Sequence, residues 1–308
     1  MGTSEFAAEI LEALIGIEYD IISVYTQPDK KVGRNQELKK SAVKAAAEKG
    51  KIKIFQPVKF DAEEIEKLRD QKPDLIIVAA YGKIIPKSIL EIPGFGALNI
   101  HGSFLPKYRG PSPVQNALLL GEKKTGTTIM LMDEGIDTGD ILAQKEIDIY
   151  KEEAAPELLK KLAKISSELL IKTLPFWISR KIVPQKQDHA KATLCQLIEK
   201  TDGKIFWTDS AEDIYNRYRA FQPWPGIFTF WKGKNGMRRI RLNKINLIKT
   251  DPETKHHIGE VFQFGEKIGV QTTLGVIILE EIQLEGKSST KIGEFVNGYL
   301  DFLGSVLK

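Results

Sequence analysis

The segment L-I-I-V-A-A at 75–80 is apolar at every position, and it limits the fold of this chain more than any other stretch. A strand with one face in water alternates apolar and polar residues. One that is apolar throughout is covered on both faces, as parallel strands packed between helices are. The neighbouring pattern supplies those helices. Residues 4–15 put Phe6, Ile10, Leu11 and Leu14 on one face and lead to a strand over 21–25. A helix near 41–49 stops at Gly50, and a strand at 53–55 and a helix over 62–70 precede the apolar run. After it come a short helix at 87–90, a strand ending at His101, a helix over 112–120 closed by Gly121, strands over 127–132 and 140–147, and a long helix over 155–180. Strands alternating with helices predict an α/β, Rossmann-like, doubly wound and mostly parallel sheet, whose ligands gather at the carboxyl ends of its strands.

Beyond Trp177 the pattern changes. Residues 183–203 are polar and irregular and read as a linker. A helix at 211–220 is followed by short β-like pieces at 227–231, 238–247, 258–264, 269–271 and 275–282, then by a helix over 290–303. Turn residues at Asn235-Gly236, Asp251-Pro252, Gly265 and Gly275 separate those pieces and suggest a small β-barrel. At 308 residues the chain is long for one domain. The expected division is a first domain over 1–182, a linker over 183–203 and a second domain over 204–308.

Composition narrows the class. Hydrophobic residues make up 42% and charged residues 28%, the balance of a soluble globular protein. Cys195 is the single cysteine, which excludes an intramolecular disulfide, argues against a cysteine-based metal site and suits a reducing cytosol. It reads as a small buried apolar residue. No apolar run approaches the roughly 18 residues of a membrane span, and no basic-then-apolar leader opens the chain, so a cytoplasmic protein is expected. The net charge is only +4, but its distribution is uneven. Lys30, Lys31, Arg34, Lys39, Lys40, Lys44, Lys49, Lys51 and Lys53 crowd one segment; Lys232, Lys234, Arg238, Arg239, Arg241, Lys244, Lys249 and Lys255 crowd another. The two can form an electrostatic track for a phosphate backbone, or they can be solvated lysine faces.

Candidate chemistry lies between 99 and 140. In A-L-N-I-H-G, Asn99 and His101 are two apart at a strand end and project from one side. Asp137 follows the strand-like T-T-I-M-L-M in a Gly-rich loop, where adjacent strand ends can bring a carboxylate against an imidazole. An amide donor, a titratable ring and a carboxylate make a constellation that orients and protonates, rather than a nucleophile triad. Each member also has a plainer reading: a hydrogen-bonded strand-end histidine, a loop-capping asparagine and a turn aspartate beside Asp133 and Asp140.

The segments M-G-T-S-E-F-A at 1–7, T-Q-P-D-K at 26–30, A-A-Y-G-K-I-I-P at 79–86, N-I-H-G-S-F-L-P with Y-R-G-P-S-P-V-Q and M-D-E-G-I-D-T-G-D across 99–140, and R-A-F-Q-P-W-P-G at 219–226 resemble a known family. It is that of the 10-formyltetrahydrofolate-dependent formyltransferases, and within it the methionyl-tRNA formyltransferases. The resemblance implies formyl transfer from 10-formyltetrahydrofolate to the α-amino group of initiator methionyl-tRNA, with Asn99, His101 and Asp137 catalytic and no metal. It implies that Ser103, Phe104, Leu105 and Pro106, with Tyr81, line the folate pocket, although the family usually has Leu where Phe104 stands. Arg34, Lys39 and Lys40 in one basic segment and Arg238, Arg239 and Arg241 in the other are the expected tRNA contacts, the second domain being an oligonucleotide-fold-like barrel. F-Q-P-W-P-G is expected to act mainly as an apolar latch. A monomer is expected. The alternatives are a nucleotide-sugar N-formyltransferase, which shares the Asn/His/Asp block, and a non-enzymatic RNA-binding relative. In the family a hydrophobic strand precedes M-G-T, so the first and most central strand of the sheet is expected to be missing and the chain N-terminally incomplete.

Overall fold

The computed structural model describes residues 1–17, 19–32, 36–234, 236–250 and 256–308. Its residues cluster into two compact units: residues 1–114, 124–149 and 157–197 form the first, and residues 115–123, 150–156 and 198–308 the second. In chain order the first unit begins with α1 (Glu5–Ile15), β1 (Val24–Tyr25), β2 (Lys30–Val32), β3 (Glu37–Lys39), α2 (Ala42–Lys49), β4 (Ile54–Phe55), α3 (Ala62–Asp70), β5 (Ile76–Val78), α4 (Lys87–Leu90) and β6 (Ala97–His101). Next in the chain is α5 (Pro113–Leu119), most of which clusters with the second unit, and then β7 (Lys124–Leu131), β8 (Ile141–Asp148) and nearly all of α6 (Ala155–Ile178) return to the first. The helix starts follow local chemistry: the Ser41 hydroxyl accepts from Lys44 N at 3.0 Å to cap α2, and Asp61 accepts from Glu64 N at 3.2 Å to cap α3.

The core of this unit is parallel. β1 pairs with β4, and β5 with β6, each in parallel register; β7 and then β8 continue from β6 antiparallel. Leu98, Ile100 and Ile129 are at most 2% exposed, as a sheet covered on both faces requires. β2 and β3 form a separate two-stranded hairpin.

Met1 and Gly2 lie between β1 and β5. Gly2 N donates to Tyr25 O at 3.0 Å, Ala79 N donates to Met1 O at 3.0 Å, and the Met1 amine donates to Ile77 O at 2.6 Å. These two residues therefore occupy the place of one strand joining the β1–β4 pair to the larger sheet. Alongside them is a cavity of about 450 Å³, lined by Ile10, Leu11 and Leu14 of α1 and by Ile21, Ile22 and Leu75. Residues 21–23 border this cavity and pair with no strand among the described residues, which is why the strand expected over 21–25 is regular only at Val24–Tyr25.

Of the segment expected to be a linker, residues 183–197 belong to the first unit and 198–203 to the second. Gln185 exchanges two backbone hydrogen bonds with Ile141, and Thr193 and Cys195 ladder against Arg109. Its polar composition reflects backbone and side-chain groups bonded to loops rather than freedom from structure.

The second unit contains α7 (Ala211–Ala220), β9 (Ile227–Gly233), β10 (Gly236–Ile248), β11 (Val261–Phe264), β12 (Lys267–Gln271), β13 (Val276–Leu284), β14 (Ser289–Lys291) and α8 (Ile292–Gly298). Its six strands are antiparallel in the order β11-β12-β13-β10-β9, with β14 also on β13. Phe230 of β9 exchanges two backbone hydrogen bonds with Lys308, while Val261 of β11 exchanges two with Gly304 and Ser305. The tail at 304–308 thus links the two edge strands and curls the sheet toward closure, which removes their exposed edges. Trp231, Phe295 and Phe302 pack edge to face in its core. Arg219, 5% exposed, donates to Asn216 and to the carbonyls of Tyr150 and Glu153, so the arginine of R-A-F-Q-P-W-P-G serves this unit's interior.

Candidate active site

Asn99 and His101 stand on β6, opposite Met130 and Thr128 of β7. Their two-residue spacing sends both side chains to one face while Ile100 between them is buried on the other. Asp137 comes from the turn after β7. That turn is folded by Asp133, whose Oδ1 accepts from Gly135 N at 3.0 Å and from Thr138 Oγ1 at 2.6 Å. Gly139 is required: a Cβ there would sit 1.8 Å from Leu131 O. Asp137 itself adopts a left-handed backbone, φ 51°, which turns its carboxylate back over β6.

The carboxylate is held from three sides. Oδ1 accepts from Asn99 Nδ2 at 3.0 Å, Oδ2 accepts from Gly110 N at 2.8 Å, and Oδ2 lies 3.4 Å from His101 Nδ1. The His101 ring is 6% exposed, and its Nε2 lies 2.9 Å from Tyr108 O. Both ring nitrogens face oxygen acceptors. One of the two Asn99 amide protons is committed to Asp137, leaving the other for an oxyanion.

The loop after β6 spends its polar groups inward. Ser103 is fully buried and its hydroxyl donates to Lys107 O at 2.6 Å. Thr128 Oγ1 donates to Ser103 O and accepts from Leu105 N, and Gln144 donates to Leu105 O. Leu105 is 1% exposed, so the apolar side chains this loop offers are exposed Phe104, which lies over Gly126 of β7, and half-buried Pro106. Tyr81 is placed differently. Its side chain lies in the core, 6.0 Å from the Phe60 ring, its hydroxyl has no partner among the described residues, and burial pushes its pKa up to about 12. Only its backbone is presented to polar groups, its carbonyl accepting from Thr3 and Gln27.

Of the basic residues, Lys39 is exposed on β3 and Lys40 is exposed and paired with Glu48 at 2.9 Å; Arg34 lies outside the described residues. In the second unit Arg238 donates to Glu285 O at 2.8 Å, Arg239 stacks on the Phe228 ring, and Arg241 donates to Pro223 O at 2.8 Å. Each arginine of β10 therefore has work inside its own unit, Arg241 by holding the F-Q-P-W-P-G segment. Among the described residues no group of three His, Cys, Asp or Glu is arranged to hold a metal, and no helix is long and apolar enough to cross a membrane.

Sequence reasoning missed the segment at 187–195. Tyr108 N donates to Thr193 Oγ1 at 2.8 Å and Cys195 Sγ lies 3.2 Å from Arg109 O, so this strap fixes the loop that faces His101. Burial raises the Cys195 thiol pKa, as for an inert buried residue. No periodicity marks such a strap; its only sequence signal is polar composition.

Two family descriptions match the chain: formyl transferase over residues 1–174, and formyl transferase, C-terminal domain, over 197–300. A methionyl-tRNA formyltransferase of Caldicellulosiruptor saccharolyticus is 45% identical over 100% of this chain and 98% of its own length. One from Alkaliphilus metalliredigens is 39% identical over 97% and 94%. Among solved structures, an N-formyltransferase from Helicobacter canadensis in complex with folinic acid and dTDP-3-aminofucose covers 90% of this chain and 96% of its own, with a TM-score of 0.64 at 21% identity. HypX from Aquifex aeolicus in complex with tetrahydrofolic acid covers 84% and 44%, with a TM-score of 0.60 at 17% identity. At those identities the two structures speak for the fold alone.

Proposed function

The chain belongs to the formyl transferase family, and on that premise we propose that it carries the formyl group of 10-formyltetrahydrofolate to the α-amino group of methionyl initiator tRNA, for translation initiation. One observation carries the chemical part: a single carboxylate, Asp137, reaches Asn99 and His101 together at a strand's carboxyl end. The end-to-end similarity to methionyl-tRNA formyltransferases supports the choice of acceptor.

In the reaction the amine nitrogen bonds to the formyl carbon, whose oxygen takes up the electron pair. The free Asn99 N–H holds that oxyanion where charge develops. A proton leaves the attacking nitrogen and reaches the departing folate nitrogen by way of the His101 ring, and the old carbon–nitrogen bond breaks. Nε2 must exchange Tyr108 O for a substrate atom to do so. Asp137 keeps the ring turned to the substrate. The donor is already activated, so no covalent enzyme intermediate is needed. Ser103, Phe104, Leu105 and Pro106 form the folate side, with Phe104 supplying the apolar surface, and Tyr81 supports it through its backbone. Lys39, Lys40 and Arg34 are phosphate contacts, with Arg238, Arg239 and Arg241 as further ones. The enzyme works as a cytoplasmic monomer.

The test is direct. Incubation with 10-formyltetrahydrofolate and charged initiator tRNA should yield formyl-methionine on the tRNA. Formylation of an amino-sugar nucleotide in its place, with none on the tRNA, would replace this reading.

A further inference from the structure

We propose that Gln187 is a positioning residue for formyl transfer, setting the Asp137 turn through a buried bridge from Arg109. It rests on the formyl-transfer reading above and deepens it.

Gln187 and Arg109 are each 5% exposed. The Gln187 Oε1 accepts from Arg109 Nε at 3.1 Å and Nη2 at 2.7 Å. Its Nε2 donates to Asp137 O at 2.9 Å and to Gly139 O at 2.7 Å. All four hydrogen-bonding positions of the amide are thereby used, two on the guanidinium and two on the turn that carries the catalytic carboxylate. Arg109 Nη2 also lies 3.2 Å from His189 Nδ1, two residues along the same strap.

The geometry of the turn explains the need. Asp137 is a non-glycine residue with φ 51°, a conformation that persists only when its surroundings over-determine it. Its carbonyl and that of Gly139 converge on one nitrogen, and bonding both fixes the Asp137–Thr138 and Gly139–Asp140 peptides. With the backbone set, the carboxylate falls between Asn99 Nδ2, Gly110 N and His101 Nδ1. The same Arg109 belongs to the loop whose Tyr108 O faces His101 Nε2 and whose Gly110 N holds Asp137. Gln187 thus ties together the two loops that grip the imidazole from opposite sides.

Only an amide of this length does both jobs. Glu would keep Arg109 paired but present an oxygen to two carbonyls; Met would keep the volume and lose all four bonds. A small displacement of Asp137 is enough to slow a step that depends on alignment. Gln187→Glu should fold, because Arg109 keeps its partner, and should lower kcat about 10–100-fold with little change in KM for either substrate. Gln187→Met should act in the same direction with some loss of stability. In an Asp137→Asn background, Gln187→Glu should cost less than threefold further, since a residue acting only through Asp137 has nothing left to position.

Formylation kinetics of the wild type, the two Gln187 variants, Asp137→Asn and the double variant decide the matter. A wild type that formylates tRNA alongside a fully active Gln187→Glu overturns the proposal, as do equal losses in the two backgrounds, or two Gln187 variants that fail to fold. A wild type with no formylating activity instead overturns the functional reading.

Discussion

Asp137 and Tyr81 are two ionisable groups of one compact unit, and the chain surrounds them in opposite ways. The carboxylate receives two N–H donors and stands 3.4 Å from an imidazole, in a turn pinned by the Gln187 amide. The Tyr81 hydroxyl is buried in the apolar core with no partner among the described residues, and burial pushes its pKa up to about 12. Donors converge on the first group and leave the second alone. A buried ionisable group is therefore a site candidate when donors converge on it, not by burial alone.

The largest expected effect is at the site. His101→Ala and Asp137→Asn should each lower kcat about 10²–10⁴-fold while folate affinity changes little, because their interactions strengthen only in the transition state. Steady-state kinetics with a folate titration will show this. Near-wild-type turnover in either variant would remove that residue from the mechanism and blur the contrast with Tyr81.

Next comes Tyr81. Its hydroxyl is buried with no partner among the described residues, so removing it takes a polar atom out of the core without breaking a hydrogen bond. Tyr81→Phe should leave the fold as stable as the wild type or up to about 1 kcal/mol more stable, with kcat and folate affinity unchanged. Thermal melts and a folate titration read this out. A loss of folate affinity would give the Tyr81 side chain a place in the folate pocket.

How much of this the sequence could show follows the same division. That Asn99 and His101 share one face was legible from their two-residue strand spacing, whereas Asp137 was singled out from Asp133 and Asp140 by the family resemblance. The apolar run containing Ile76–Val78 announced a sheet covered on both faces, and residues 62–70 and 211–220 formed helices at the places their patterns gave. The strap at 187–195 was not legible. Its structure comes from bonds to Arg109, Tyr108 and the 137–139 turn, 48 or more positions away in sequence, and a polar segment committed to distant carbonyls looks like one that is merely solvated. Nor could composition separate Lys39 and Lys40, which face solvent, from Arg238, Arg239 and Arg241 of β10, which bond or stack within their own unit.

That division yields the smallest predicted effect. Lys39 is exposed and Lys40 has a surface pair with Glu48, a contact worth at most about 1 kcal/mol, so both can turn to a phosphate at little cost to the fold. Neutralising both to Gln should weaken tRNA binding and flatten the logarithmic salt dependence by about one unit per lost phosphate contact, with the melting temperature and folate affinity unchanged. Arg241→Ala should behave differently. It deprives Pro223 O of a donor, and the substitution should remove about 1–2 kcal/mol of stability while changing the salt slope less than the lysine pair does. Thermal melts and salt-titrated tRNA binding on both variants read out the two roles. Should Arg241→Ala flatten the slope at full stability, its guanidinium is a phosphate contact first, and the hydrogen bond to Pro223 is incidental.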